Sequence, residues 1–157
     1  MSTDRINKHD QFNSFCDTEI TKLMLLYNRL KTFVGWPFDK SDKSSCNSLE
    51  LAKAGFIMTS NDDAAPSASC VCCFKDLLWE EEDIPKNEHL VKMPHCAFAK
   101  MVAEKNELEF TVQDILKILM MREMSRTLGD LFDQDLHSIK TAINYNDEFV
   151  KKTIKKL

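Results

Sequence analysis

The sequence predicts an α+β protein: a small zinc-bound domain of short strands and short helices, followed by a long C-terminal α-helix. Three observations predict it. Cys70, Cys73, His89 and Cys96 stand at metal-ligand spacing within one short stretch, and apolar runs of strand length flank the first two of them. After Thr111 an apolar-periodic pattern continues to Leu157 without a proline.

The first ligand pair reads Cys70-Val71-Cys72-Cys73, a turn that aims two thiolates at one ion. The second reads His89-x6-Cys96, long enough to span a helical turn and the loop after it. Three thiolates and an imidazole suit one tetrahedral Zn²⁺. Cys72 is a rival to Cys73 but lies one position short of the usual gap; His95 is a rival to His89, and its adjacency to Cys96 strains chelation by both. Cys16 and Cys46 are far off. A disulfide framework is the competing explanation of six cysteines, but the polar start Met1-Ser2-Thr3-Asp4-Arg5 has no apolar signal region, so a reducing, intracellular setting is expected.

A length of 157 residues suits one modest domain with an appendage. The formal charge of -4 argues against a general nucleic-acid binder, and no apolar run reaches the length of a membrane span. A soluble protein is expected, with no sequence-specific nucleic acid and no membrane among its partners.

In chain order, residues 1–17 are polar with scattered Phe12, Phe15 and Cys16 and are read as a mobile lead. Residues 18–104 are assigned to the zinc domain. Ile20, Leu23, Met24, Leu26, Tyr27 and Leu30 predict a helix from an N-cap at Thr18 to about Thr32, on which Arg29 would ordinarily be solvated. Gly35-Trp36-Pro37 ends it. A turn-rich loop from Asp39 to Asn47 leads into a short helix over 48–54, with Gly55 at its C-terminus. Strands are expected at Phe56–Thr59, from Cys70-Val71 into the thiolate turn, and at Leu77–Trp79. After the acidic run Glu80-Glu81-Glu82-Asp83, Pro85 suits the first position of a helix containing His89 and Leu90, and Pro94 stops it.

These residues carry a resemblance: Arg29-x2-Thr32-Phe33-x2-Trp36-Pro37, Leu51-Ala52-x-Ala54-Gly55-Phe56, Cys70-x2-Cys73, Leu77, Trp79-Glu80, Asp83-x-Pro85-x2-Glu88-His89 and Pro94-x-Cys96-x-Phe98. Over about residues 23–100 the chain resembles the baculoviral inhibitor-of-apoptosis repeat (BIR) family. The resemblance implies a three-stranded sheet ringed by short helices, with Cys70, Cys73, His89 and Cys96 holding one Zn²⁺ and Arg29 bonded inside the domain. Phe74-Lys75 after Cys73, and one repeat followed by a long helix, are similar to the survivin-type branch of the family. No Cys/His cluster follows Cys96, so a ubiquitin-ligase module in cis is not expected.

That branch implies a non-catalytic adaptor of the chromosomal passenger complex. Its partners would be the inner centromere protein, a borealin-like protein and, through the complex, an Aurora kinase. A phosphorylated N-terminal histone tail would add to the third strand, with Lys75, Leu77, Trp79, Asp83 and Lys92 as its binding residues. The sequence departs from the family pattern at Leu78, where an acidic residue is expected, at Lys92, where a histidine is usual, at Ile84, and in a third strand one residue short. The expected locations are nucleus, chromosome or centromere and spindle midzone, with cytoplasm. The rival is an apoptosis inhibitor binding caspases or Ala-leading peptides; its groove usually needs an aromatic residue where Lys92 stands. A homodimer is compatible with either.

Thr111-Val112-Gln113-Asp114 reads as a capping box opening a helix over 111–157, about 70 Å long if unbroken. Ile115, Leu116, Leu119, Met121, Met124, Leu128 and Leu131 form one stripe. Phe132, Leu136, Ile139, Ile143, Val150 and Leu157 form a second, offset near Gly129. A fold-back at Gly129 is the alternative to a continuous helix that recruits other helices through Leu119, Met124, Leu128, Leu131, Leu136, Ile139, Ile143 and Val150.

Overall fold

The computed structural model describes residues 22–41 and 43–154, so the expected lead at 1–17 and the N-cap at Thr18 lie outside the described residues. The architecture is α+β, with helices α1 (Leu26–Leu30) and α2 (Ser48–Lys53), strands β1 (Phe56–Ser60), β2 (Ser67–Cys70) and β3 (Asp76–Leu78), then α3 (Pro85–Lys92), α4 (Ala97–Glu104) and α5 (Val112–Ile154). No helix among the described residues is long and apolar enough to cross a membrane.

Arg29 explains why the first helix is shorter than its periodicity suggests. Leu25 is extended, with φ -90° and ψ 127°, and α1 begins only after it. The Arg29 guanidinium takes the carbonyls of Leu23 and Met24, each at 2.9 Å, which a continuous helix would place on its own ladder. Its Nε donates to the Ala52 carbonyl at 2.9 Å, and its carbon lies 4.9 Å from the centre of the Phe98 ring. Burial lowers the Arg29 pKa and the ion pair with Glu107 opposes that shift. Arg29 is thus not a solvated helix residue but a fully buried charge at 0 % exposure.

A 3-10 turn, Pro37–Lys40, follows Trp36, whose indole donates to the Cys46 carbonyl at 2.8 Å and meets Phe33 and Phe38 edge-on. Asn47 caps α2 through the Glu50 N–H. Gly55 leaves α2 with φ +91°, and a Cβ there would lie 2.5 Å from the Phe98 ring, so both conformation and space demand glycine.

The sheet is antiparallel in the order β1-β2-β3, which leaves β3 at an edge. Phe56 faces Cys70 and Met58 faces Ala68, with an irregularity between Met58 and Ser60. The second strand therefore lies upstream of its expected place, in the small residues Ser67, Ala68 and Ser69, and Val71 belongs to the turn. The third ends at Leu78, with Trp79 just beyond it. Small residues carry weak strand propensity, so this placement is decided by pairing with β1. α4 has no counterpart among the expected elements; its Ala97, Phe98, Ala99, Met101 and Val102 are buried.

After α4 a capping box of Asn106 and Glu109 forms a second 3-10 turn, Glu107–Glu109. Thr111 and Asp114 form the expected box at the start of α5: the Asp114 carboxylate accepts the Thr111 N–H at 2.8 Å and the Lys105 ammonium at 2.5 Å. These contacts hold the Asp114 pKa down at about 2, the bond from Lys105 contributing most. Helix α5 runs without interruption through Gly129, so the fold-back is not adopted.

The chain divides into two units, one ending at Glu123 and one starting at Met124. In the first, Ile118 is fully buried, and Leu119 and Met121 pack against the domain core. Leu119, expected to face other helices, is half-buried, with part of its side chain against its own domain. In the second unit Met124, Leu128, Leu131, Ile139 and Ile143 are exposed and Leu136 is half-buried; the side chain of Val150 lies outside the described residues.

Glu107 accepts the Leu26 N–H at 2.9 Å through one oxygen and Arg29 through the other. Glu107→Ala strands a buried guanidinium and is expected to cost about 3 kcal/mol in chemical denaturation of the zinc-loaded protein. A loss below about 1 kcal/mol, the range of an exposed pair, would show that Glu107 does not carry the neutralisation.

Candidate metal centre and peptide surface

The four donors come from three places. Cys70 ends β2 and Cys73 follows in the turn; His89 lies in the middle of α3, whose first position is Pro85; Cys96 is the N-cap residue of α4. Their ligand atoms all lie within 4.8 Å of one another. Cys70 Sγ and Cys96 Sγ are 3.9 Å apart, and Cys73 Sγ is 3.7 Å from His89 Nε2. A tetrahedral zinc with sulfur at about 2.3 Å and nitrogen at about 2.0 Å requires edges of about 3.8 and 3.5 Å, so the cluster has the size of a zinc cage.

The surroundings also suit the metal. His89 Nδ1 is 2.8 Å from the Ala54 carbonyl, which fixes the proton on that nitrogen and leaves Nε2 free to ligate. The imidazole is fully buried beside the Phe56 ring, with centroids 4.6 Å apart. The Cys72 N–H donates to Cys70 Sγ at 3.3 Å. Burial pushes the Cys70 thiol well above its usual range, while hydrogen bonds from Cys70, Cys72 and Cys73 lower Cys96. For His89, burial acts to lower the pKa, but bonding to Cys73 and Cys96 outweighs it and holds the ring at about 9. Without a metal the cluster therefore shares protons, and a dication displaces them. One zinc ion fits, and its chemistry here is structural: four protein donors close a tetrahedral shell.

Cys72 is outside the cage. Its sulfur faces the Ile118 carbonyl of α5 at 3.6 Å. Cys46 is buried elsewhere, and burial with Asp83 nearby pushes its thiol up to about 12. His95 is exposed and stands outside the cluster.

The residues expected to bind a peptide are divided by the structure. Lys75 is exposed beside the edge strand, and Lys92 is exposed at the end of α3, 3.5 Å from Glu88. Asp83 is half-buried and accepts the Glu80 N–H at 2.9 Å. Leu77 and Trp79 turn their side chains inward. Both side chains are buried in the core, Trp79 edge-on to Phe56, so they can offer a peptide only the backbone near the edge. Leu78, pointing the other way along β3, is 71 % exposed.

Two substitutions separate the cage from its neighbour. Cys73→Ser is expected to lose stoichiometric zinc and unfold the domain, whereas Cys72→Ser keeps one zinc per chain, as read by metal analysis of the purified proteins. Equal loss in both would overturn the assignment of Cys73.

Comparison with known proteins agrees with this geometry. The family model for the BIR, or Inhibitor of Apoptosis, domain matches residues 29–100. Baculoviral IAP repeat-containing protein 5 of Mus musculus is 35 % identical over 125 residues, covering 79 % of this chain and 86 % of that protein. Baculoviral IAP repeat-containing protein 5.2-B of Xenopus laevis is 33 % identical over 121 residues, covering 70 % of this chain and 76 % of its own. Protein bir-2 of Caenorhabditis elegans is 34 % identical over 103 residues but matches over only 33 % of its length. A zinc-sized cage on a three-stranded sheet, matched along most of the length of such relatives, places the chain in the baculoviral IAP repeat family as a survivin-like, single-BIR member.

Proposed function

We propose that this protein is a non-catalytic, zinc-containing adaptor of the chromosomal passenger complex. In that role its long helix bundles with the inner centromere protein and a borealin-like protein, and so targets an Aurora-type kinase to chromosomes and centromeres in mitosis and to the spindle midzone in cytokinesis. The observation that carries this reading is the second unit of the chain. From Met124 on, the helix exposes Met124, Leu128, Leu131, Ile139 and Ile143, and no apolar side chain among the described residues of this unit is fully buried. Apolar side chains repeated at helical spacing and left in water favour association with other helices.

A catalytic role is disfavoured by the metal chemistry, since a shell of four protein donors has no open position for an activated water. The peptide surface supports a second element of the proposal. The edge of β3, with no further strand beside it among the described residues, offers backbone for strand addition, with the exposed cations Lys75 and Lys92 to attract a phosphate and Asp83 for the terminal amine of a histone tail.

The test is co-purification from dividing cells with the full chain, with Leu128→Asp, and with a chain ending at Glu123. The cut belongs there because Ile118 is part of the domain core. The full chain is expected to bring down inner-centromere and borealin-like proteins, and both altered chains to lose them while retaining zinc. Capture of caspases or their antagonists by all three would replace this reading with the apoptosis-inhibitor one.

Lys92→Glu is expected to weaken binding of a phosphorylated histone-tail peptide about tenfold, measured by calorimetry, because it replaces a charge-assisted contact with repulsion. Unchanged affinity would remove Lys92 from the surface.

A further inference from the structure

The turn that carries Cys70 and Cys73 meets α5 through three contacts. Cys72 Sγ faces the Ile118 carbonyl at 3.6 Å, Arg122 Nη1 donates to the Val71 carbonyl, and the Arg122 guanidinium carbon lies 4.6 Å from the centre of the Phe74 ring. Ile118 and Arg122 are four residues apart and share one face of the helix. Arg122 also lies well beyond residue 100, where the match to the repeat ends. We propose that Arg122 is a positioning residue for the metal centre: by clamping Val71 and Phe74 from α5 it holds the backbone that presents Cys70 and Cys73, and so slows the loss of zinc.

The turn needs such a clamp for two reasons. Val71 is 2 % exposed, so its carbonyl is buried where loss of a donor is costly. Phe74 has φ +59°, a left-handed conformation that residues with a Cβ rarely adopt. Stacking its ring under a guanidinium favours the side-chain placement that goes with this backbone. Two of the turn's other bonds, Phe74 N–H to the Cys70 carbonyl and Cys70 N–H to the Lys75 carbonyl, close it on itself, and the Val71 N–H reaches the Gly55 carbonyl after α2, each at 3.0 Å. Arg122 takes the Val71 carbonyl and ties the turn to α5 as well. Its planar fork can donate and stack at once, which a lysine cannot do equally well.

Zinc-loaded full chains, mixed with excess chromophoric chelator well below their melting temperatures, test this directly. Arg122→Ala is expected to transfer zinc about tenfold faster than wild type, and Arg122→Lys at an intermediate rate. Phe74→Leu, which keeps the Val71 bond, is expected to accelerate transfer about threefold, and the Arg122→Ala/Phe74→Leu pair to be no faster than Arg122→Ala alone. Arg126→Ala, on the next helical turn, is the control and leaves the rate unchanged. Cobalt-substituted chains add a spectroscopic readout, with Arg122→Ala shifting the thiolate-to-cobalt band. A role confined to general stability would lower Tm but leave rate and band as in wild type; that result overturns the proposal. If Arg122→Ala does not fold, Phe74→Leu decides, and a wild-type rate there overturns it equally.

Discussion

The cage of Cys70, Cys73, His89 and Cys96 is the constraint on which the domain depends, because it joins strands too short to hold themselves together. Strands of five, four and three residues bury too little to be stable by themselves. The donors come from the β2–β3 turn, from α3 and from the start of α4, so one ion ties together elements that share no continuous ladder. Structural zinc supplies about 10–16 kcal/mol of apparent binding energy, comparable to or larger than the roughly 5–15 kcal/mol net stability of a whole domain. The Ala54 carbonyl, which orients His89, brings α2 into the same arrangement.

Arg29 organises the opposite part of the chain by a different cost. A guanidinium removed from water must find donors' partners at every edge, and it finds them in Leu23, Met24, Ala52 and Glu107. Satisfying it breaks the first helix at Leu25 and draws the 3-10 turn after α4 against the start of α1. The segment leading into α5 is thereby anchored before the long helix begins, with the Thr111–Asp114–Lys105 contacts completing the junction.

Helix α5 serves two different environments along one continuous backbone. Up to Glu123 it is domain structure: Ile118 is buried, and Arg122 reaches the zinc turn. From Met124 onward Leu128, Leu131, Phe132, Ile139 and Ile143 are exposed, which is the condition that favours helical partners. Periodicity treats both stretches alike, since the same spacing of leucine, isoleucine and methionine serves an internal core and an external interface.

What the sequence by itself determined is what depends on local geometry. The C-x2-C turn and H-x6-C spacing picked out the donors that cluster, Pro85 marked the first turn of α3, and Thr111 with Asp114 marked the start of α5. Each is a matter of a few bonds of backbone, legible wherever it occurs. The tertiary structure decided the rest. The break before α1 follows from a guanidinium whose partners lie as far along the chain as Glu107; the register of β2 follows from pairing with β1 rather than from its small residues. The burial of Leu77 and Trp79, the packing of Leu119 against the core, and the reach of Arg122 to Val71 exist only once distant segments meet. No pattern along the chain encodes those distances, because desolvation and packing act on neighbours in space.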